Sequence, residues 1–507
     1  MAHISLAAAA TSTKPLHLRS RFLSSSPSIH NPTLHASSSS SSESVVSSAV
    51  SILIHRRSKS RWSSLLSLCR SAGGGGFASE QVSEILLGVR NHPRLAHSFF
   101  RFILLHSLST PSLLSYSTIV HILARSRHHI SLAKAQSLLR EAVIHNNHDG
   151  YDGVKLKIFD ALVRTYRQCD SAPVVFDLLI QACLDLNRVQ QSVHMVRLLR
   201  SRGIALRIGV CNALIDRVSR GIGCLEGYRL YKELFDIGDR DVKDGGSVGV
   251  VTMLKPNAHT FNGLMLSFYR NEMFDRVEEI WTEMGELACC EPNLYSYNIL
   301  MAAYCDGGEI GKAWDLWERI TSKGLRPDVV AYNTLIGGYC ELGMVEKGEE
   351  LYREMVMSGI EPTCLTYQHL MLGYCGIEDL DSAMLLYKDM RSKGFIPSSS
   401  TIDAVMAGLC SVERVFEALN LFNAVVSENN DFVAKRTSYD LLIKGLCVEG
   451  ELKEALKLQA QMAGKGFLPD SEIYCAFIEC CEKHGKPDMA EILRKEMVQT
   501  LARQNDE

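Results

Sequence analysis

Cys480, Cys481 and His484 are the residues of this 507-residue chain whose types and spacing come nearest to a metal or redox site. Thiolate and imidazole groups are the ligands that zinc prefers, and a structural zinc site needs four ligands. Adjacent cysteines point in different directions on a helix, and no Cys-x-x-Cys pair is followed by a second such pair. We therefore expect ordinary helix positions here, with no metal site and no cofactor.

Motifs for catalysis are also missing from the sequence. It contains no glycine-rich phosphate loop with its lysine and no nucleophile elbow. We therefore expect no catalytic residues and predict that the chain is not an enzyme.

Sixteen cysteines could suggest disulfides, but five of them hold one position in a repeating pattern. Neighbouring copies of such a position should lie about one packed helix apart, roughly 10 Å, beyond the ~7 Å limit between the Cα atoms of a disulfide. They are better interpreted as small buried hydrophobic residues in a reducing compartment. The five are Cys305, Cys340, Cys375, Cys410 and Cys447.

The repeating pattern has a period of 35 residues, marked by Pro327, Pro362 and Pro397. Each proline closes a Gly-x-x-Pro-x phrase, namely GLRPD, GIEPT and GFIPS, and GFLPD ends at residue 470. Self-similarity at this period indicates stacked supersecondary units rather than a single central core.

Each repeat has the pattern of two helices, as in residues 329–363. Asp328 can cap the first helix, Gly343 interrupts the apolar pattern, and Gly359 with Pro362 ends the second helix. A single hairpin of this kind cannot bury its apolar stripe, whereas stacked neighbours can. The sequence therefore predicts an all-α fold, an α-solenoid superhelix of stacked antiparallel helix pairs.

The sequence resembles the pentatricopeptide repeat (PPR) family, P-type subclass, which is typical of plant organelles. The resemblance lies in the aromatic-Asn pairs Phe261-Asn262, Tyr297-Asn298 and Tyr332-Asn333 and in the Gly-x-x-Pro-x endings. The tetratricopeptide repeat, the alternative at this period, has a Trp-Leu-Gly-Tyr signature that the chain lacks. Alignment on the aromatic residue gives an array over 173–505, with repeats 173–207, 208–257, 258–293, 294–328, 329–363, 364–398, 399–435, 436–470 and 471–505, preceded by a helical cap with degenerate repeats over 78–172.

The resemblance implies a function in sequence-specific binding of single-stranded RNA, in which each repeat reads one base. In this family the readers are the residue after the aromatic, which is the fifth of the repeat, and the last residue of the repeat. An Asn amide both donates and accepts hydrogen bonds, so it can match a pyrimidine edge. The implied pairs are Asn212 with Asn257, Asn262 with Asn293, Asn298 with Asp328, Asn333 with Thr363, and Gln368 with Ser398.

The resemblance also implies apolar side chains that wedge between bases, here Tyr295, Val330 and Leu365. Two structural alternatives stay open. The last residues of the repeats can serve only as helix caps, and the wedge residues can serve only to pack against the previous repeat.

Several reader positions depart from the family's usual residues. These are Asp177 with Arg207, Gln368 with Ser398, Asp403 with Lys435, Asp440 with Asp470, and Cys475. No base is assigned to these repeats, and an acidic side chain facing a phosphate-bearing strand is unfavourable for contact with RNA.

The N-terminal segment 1–60 differs in composition from the rest. It is rich in serine, carries Lys14, Arg19 and Arg21, and has no acidic residue before Glu43. This composition is typical of an organellar transit peptide followed by a disordered Ser-rich segment. The mitochondrion is the predicted destination, with the chloroplast as the alternative.

Two functions of different class are consistent with the sequence. The first is RNA binding that supports RNA processing, stability or translation by occupancy. The second is a protein-binding helical scaffold in an organellar complex such as the ribosome, which the acidic balance of the chain beyond residue 61 favours. We expect no membrane insertion, because no apolar run of 18 residues occurs, and we expect a monomer.

Overall fold

The computed structural model describes residues 39–56, 58–71, 76–145, 157–235, 254–287, 290–428 and 434–505, and no strand occurs among them. The chain divides into two compact bodies. The first comprises the described residues up to Ser131 together with Ala161–Ser171, and the second comprises the remaining described residues.

The first body is built from short helices. They are α1 (Ser39–His55), α2 (Ser58–Ser71), α3 (Ser79–Gly88), α4 (Pro93–Leu105) and α5 (Leu113–Arg125), with parts of α6 (His129–His145) and α7 (Lys157–Thr165). His121 is buried in this body, where its Nε2 lies 3.0 Å from the Leu162 carbonyl oxygen. Burial lowers the pKa of His121 to about 4, so the imidazole is neutral and structural.

Helix α1 differs from the expectation of an unstructured segment up to residue 60. Ala49 and Leu53 are fully buried, and Val50 lies against Gly88 of α3. The serine-rich composition conceals apolar residues at helical spacing, which is enough to anchor one face of a helix. Residues 1–38, to which the transit-peptide prediction mainly applies, lie outside the described residues.

The second body is an α-solenoid of antiparallel helix pairs, as the repeat predicts. The pairs are α8 (Val174–Asp185) with α9 (Val189–Ser201), α10 (Ile208–Gly221) with α11 (Cys224–Phe235), α12 (Ala258–Arg270) with α13 (Phe274–Glu286), α14 (Leu294–Asp306) with α15 (Ile310–Ser322), α16 (Val329–Glu341) with α17 (Val345–Met357), α18 (Cys364–Gly376) with α19 (Leu380–Ser392), α20 (Ser399–Ser411) with α21 (Val415–Glu428), α22 (Arg436–Val448) with α23 (Leu452–Gly464), and α24 (Ser471–Lys483) with α25 (Pro487–Asn505). The predicted all-α fold is confirmed, and each first helix begins within one residue of a repeat boundary found in the sequence.

The turn between the two helices of a repeat has the same backbone geometry whether or not glycine is present. Gly343 has φ +72°, and at the equivalent position of the next repeat Glu378 has φ +61°. Left-handed geometry disfavours a side chain, so the turn at Glu378 is held in place by the packing of its two helices.

The first helices stack directly on one another along the second body, α10 on α12, α12 on α14, and so on to α24. Among the described residues, no second helix approaches the next second helix as closely. The first helices therefore form one continuous face, and residues at one register of successive repeats become neighbours on it.

Close stacking depends on glycines that face the repeated cysteines. A Cβ added to Gly373 would lie 2.8 Å from the Cys340 Cβ and 3.1 Å from Val345 Cγ2, and Gly338 meets Cys305 in the same way. Cys305 and Cys340 are buried as expected, and burial raises the pKa of the Cys340 thiol to about 12. These cysteines are protonated packing residues rather than reactive thiols.

The contact between Gly373 and Cys340 can be tested with two identical substitutions in one helix. Gly373→Ala should destabilise the chain by about 1–3 kcal/mol relative to Gly376→Ala, because overpacking a close contact costs this much. No atom lies within 4 Å of the Cβ position at Gly376, so alanine there should be neutral or stabilising. Thermal and chemical unfolding followed by circular dichroism measures both variants, and equal stabilities would contradict the packing role.

Candidate RNA-binding surface

The four asparagines predicted as readers occupy the fifth position of their repeats, on the face formed by the first helices. Each is largely buried, with between 4% and 8% of its surface exposed. Each side-chain Nδ2 donates a hydrogen bond to the last residue of its own repeat. The distances are 3.2 Å from Asn212 to Asn257 Oδ1, 3.3 Å from Asn262 to Asn293 Oδ1, 3.0 Å from Asn298 to Asp328 Oδ1, and 3.1 Å from Asn333 to Thr363 Oγ1.

The last residue of a repeat also caps the next first helix. Asp328 Oδ1 accepts from the Ala331 backbone N–H at 2.9 Å, in addition to the bond from Asn298. Asn293 Oδ1 likewise accepts from the Ser296 backbone N–H at 3.0 Å. Capping and contact with the reader asparagine, which the sequence presents as alternatives, are therefore functions of the same atom. We use the name joint for the contacts that link the fifth residue of a repeat, the last residue of that repeat and the start of the next first helix.

Gln368 and Ser398 do not form such a joint. No hydrogen bond joins the two side chains among the described residues, and Ser398 instead accepts from the Thr401 backbone N–H at 3.2 Å. The two positions predicted to read a base in this repeat are therefore not joined by a hydrogen bond in the described structure.

The wedge residues Tyr295, Val330 and Leu365 are each about half exposed, at 50%, 53% and 48%. The residues that follow them in the chain are buried, including Ser296 and Thr366. Neighbouring residues therefore cover about half of each wedge residue, and the other half is exposed to solvent.

The acidic residues at reader positions are neutralised locally. Asp177 Oδ2 lies 3.2 Å from Arg207 Nε, and Arg436 lies between Asp440 and Asp470 at 3.5 and 2.8 Å. Burial raises the pKa of Asp177 to about 6 in spite of Arg207. The joint of Asp177 is thus formed by an ion pair and by a hydrogen bond from the Arg207 backbone N–H.

The residues that lie two helical turns after the fifth position of a repeat differ in the sign of their charge. Arg270 follows Asn262 at this distance and, with Arg220, borders a cleft of about 320 Å³ between α10 and α12. Asp306 and Glu341 hold the equivalent positions after Asn298 and Asn333. The surface is therefore neither uniformly basic nor uniformly acidic, so selection by side-chain hydrogen bonding carries more information than net charge.

The sequence interpretation overlooked a row of hydroxyl groups beside the readers. Thr260, Ser296 and Thr366, at the third position of their repeats, are buried and donate to the reader oxygen of the preceding repeat. Their signal in the sequence is a Ser or Thr three residues after the cap, the spacing of a capping box.

The residues examined for metal binding have ordinary roles. His484 Nδ1 lies 2.9 Å from the Cys480 carbonyl oxygen, and Cys480 and Cys481 are buried in the apolar core. Within the described ranges, no three His, Cys, Asp or Glu side chains are grouped so that they could hold a metal ion. No helix in the same ranges is long and apolar enough to cross a membrane.

Comparison with known proteins gives a consistent result. The PPR repeat family pattern matches residues 256–306, 292–330, 327–376 and 365–411, and the PPR repeat pattern matches 437–467 and 472–499. A pentatricopeptide repeat-containing protein of Arabidopsis thaliana is 48% identical over 462 residues, which cover 91% of each chain. A second protein of that name and plant, described as mitochondrial, is 27% identical over 157 residues, 31% of this chain and 29% of its own.

A solved structure similar to this chain is that of the pentatricopeptide repeat protein PPR10 from maize, with 16% identity and a TM-score of 0.34 over 90% of this chain and 73% of that one. A relative that is 48% identical over 91% of each chain shows the family, and the repeat register and the helix pairs agree with it. The protein therefore belongs to the pentatricopeptide repeat family.

Proposed function

We propose that this protein binds single-stranded RNA in a sequence-specific manner in an organelle and supports RNA processing, stability or translation by occupying its site. The observation that carries the proposal is the row of four consecutive asparagines at one register. Each of them is held by the last residue of its repeat. Membership of the family supports the same function.

The chemistry of the row suits base recognition. In each joint the reader amide uses one N–H for the last residue of the repeat, which leaves the second N–H for a ligand. The half-exposed wedge residues offer stacking surfaces beside the readers. Base stacking on an aromatic such as Tyr295 is worth about 1–3 kcal/mol per base.

The protein-binding scaffold remains the second candidate, since Asp306 and Glu341 interrupt the basic positions along the face. It predicts no selection of RNA and a protein ligand for the same face. The experiments below distinguish the two functions.

The family correspondence gives pyrimidine, pyrimidine, uracil and pyrimidine for repeats 208–363, read from the 5′ side. The uracil rests on Asn298 with Asp328, and in the same correspondence threonine with aspartate prefers guanine. Asn298→Thr should therefore change the third selected base from U to G, with a cost of about 1–3 kcal/mol for the original base. RNA selection from a random pool, with wild type and variant in parallel, measures this change.

Asn271→Thr is the matched control, because it makes the same substitution at a residue whose side chain donates to the Ser267 carbonyl oxygen instead. It should leave every selected base unchanged. If Asn298→Thr and the wild type select the same third base, Asn298 is not a reader. If the wild type selects no RNA at moderate salt, the scaffold is the better function.

We further propose that the protein acts in mitochondria, with plastids as the alternative. The basic, serine-rich N-terminal segment supports import, as does the mitochondrial description of one relative. A fluorescent reporter carrying residues 1–60 should enter the organelle, whereas a version with Lys14, Arg19 and Arg21 changed to glutamine should enter less efficiently. A cytosolic reporter would contradict targeting by this segment.

A further inference from the structure

The row of buried hydroxyls lies between consecutive repeats. The Thr260, Ser296 and Thr366 hydroxyls lie 2.8, 2.7 and 2.6 Å from the Oδ1 atoms of Asn212, Asn262 and Asn333. Each belongs to the repeat that follows its asparagine. The side chain at the reader position is thus contacted by two residues, the last of its own repeat and the third of the next.

The backbone constrains the direction of these hydrogen bonds without fixing it alone. The N–H groups of Asn257, Asn293 and Thr363 donate to the same hydroxyl oxygens at 3.1, 3.2 and 2.9 Å. Each backbone N–H occupies one lone pair of the hydroxyl oxygen and leaves the hydroxyl proton for an acceptor, of which the reader Oδ1 is nearer than the side-chain oxygen of the last residue at 3.0, 3.0 and 3.2 Å. A hydrogen bond to the reader Oδ1 turns the Nδ2 group toward the last residue of the repeat.

One asparagine joint lacks the hydroxyl and replaces its effect in another way. Ala331 stands where the other joints have Ser or Thr, and Asn298 Oδ1 is buried without a hydrogen-bond partner. The last residue of this repeat is Asp328. Because its carboxylate can only accept, it orients the Asn298 amide with the N–H toward it without help from a hydroxyl. The pair Asp470 and Ile473 repeats this combination of an acidic last residue with no hydroxyl.

Thr363 cannot orient the reader amide by itself, because its hydroxyl can donate as well as accept. Asn257 and Asn293 contact the reader through the Oδ1 atom that also accepts from a backbone N–H, so they favour the reader N–H, and the hydroxyl of the next repeat reinforces that orientation. In this chain the asparagine readers with neutral last residues are the ones that have the hydroxyl.

We propose that Thr260, Ser296 and Thr366 are positioning residues that determine base specificity by fixing the amide orientation of Asn212, Asn262 and Asn333. The proposal rests on the proposed RNA-binding function and extends it. A base is then selected by a repeat together with the first helix of its neighbour. Loss of the hydroxyl lets the amide present either its oxygen or its N–H to the base.

The test is Thr366→Val, which removes the hydroxyl but keeps the shape of the side chain. At the fourth base, the preference for a pyrimidine over a purine should fall by roughly fivefold or more, the range expected for one base contact. The third base, read by Asn298, should be unaffected. The matched control is Thr401→Val at the same register, because the Thr401 hydroxyl contacts Ser398 and no hydrogen bond from it to Gln368 occurs in the described structure.

A second variant separates positioning from stability. Thr363→Asp with Thr366→Ala rebuilds the joint that Asn298, Asp328 and Ala331 already form in this chain, so its parts are compatible with the fold. The double variant should restore discrimination at the fourth base and shift it toward uracil. Thermal unfolding of all variants measures the cost of losing the hydroxyl at the third position, including the capping bond that the Thr366 hydroxyl accepts from the Thr363 N–H and that has no counterpart at Thr401 in the described structure.

The outcomes are separable. Relaxed choice at the fourth base alone, with rescue by the double variant, supports the proposal. An unchanged choice in Thr366→Val, with the wild type still selecting RNA, overturns the positioning role and leaves the RNA-binding function intact. Loss of discrimination that the double variant does not rescue also overturns it. A wild type that selects no RNA overturns both.

Discussion

The close stacking of consecutive first helices is the constraint on which the rest of this structure depends. A solenoid has no central core, so each repeat is stabilised mainly by its neighbours. Here the helices come together where Gly338 and Gly373 face Cys305 and Cys340, at distances that leave no room for a Cβ. The same spacing brings the last residue of one repeat within hydrogen-bond distance of its own reader asparagine.

The joint is polar although it is buried, and in the described structure its side-chain groups are hydrogen-bonded except for Asn298 Oδ1 and Asp440 Oδ1. An unpaired polar group in an apolar interior costs about 1–3 kcal/mol. Among the described residues, most buried polar side chains of the solenoid belong to the joints; Ser192, Ser219 and Thr401 are the exceptions. The capping oxygen serves the helix start and the reader at once. Substitutions at the joint are therefore expected to change the stability of the helix start as well as the orientation of the side chain at the fifth position.

Where the fifth residue of a repeat is not asparagine, other chemical groups make its contact with the neighbouring helix start. Asp177 uses the guanidinium and backbone of Arg207, and Asp403 accepts from the hydroxyls of Thr437 and Ser438. Asp177 is thus bound to the last residue of its own repeat, and Asp403 is bound to the start of the next repeat. The spacing of the helices is thus constant, while the hydrogen-bonding character presented on their common face varies from repeat to repeat.

The sequence by itself determined the all-α class, the repeat boundaries and the register of the readers, because a 35-residue period with Gly-x-x-Pro-x endings permits only stacked helix pairs. It did not reveal α1, whose apolar face is diluted by serines, or that Gln368 and Ser398 stay apart. Only the tertiary structure decided that Asp328 caps a helix and holds Asn298 with one oxygen. The contacts of Thr260, Ser296 and Thr366 with the asparagines of the preceding repeats also depend on it, since the distance between helices sets them. The capping-box spacing in the sequence indicates only the local role of each hydroxyl.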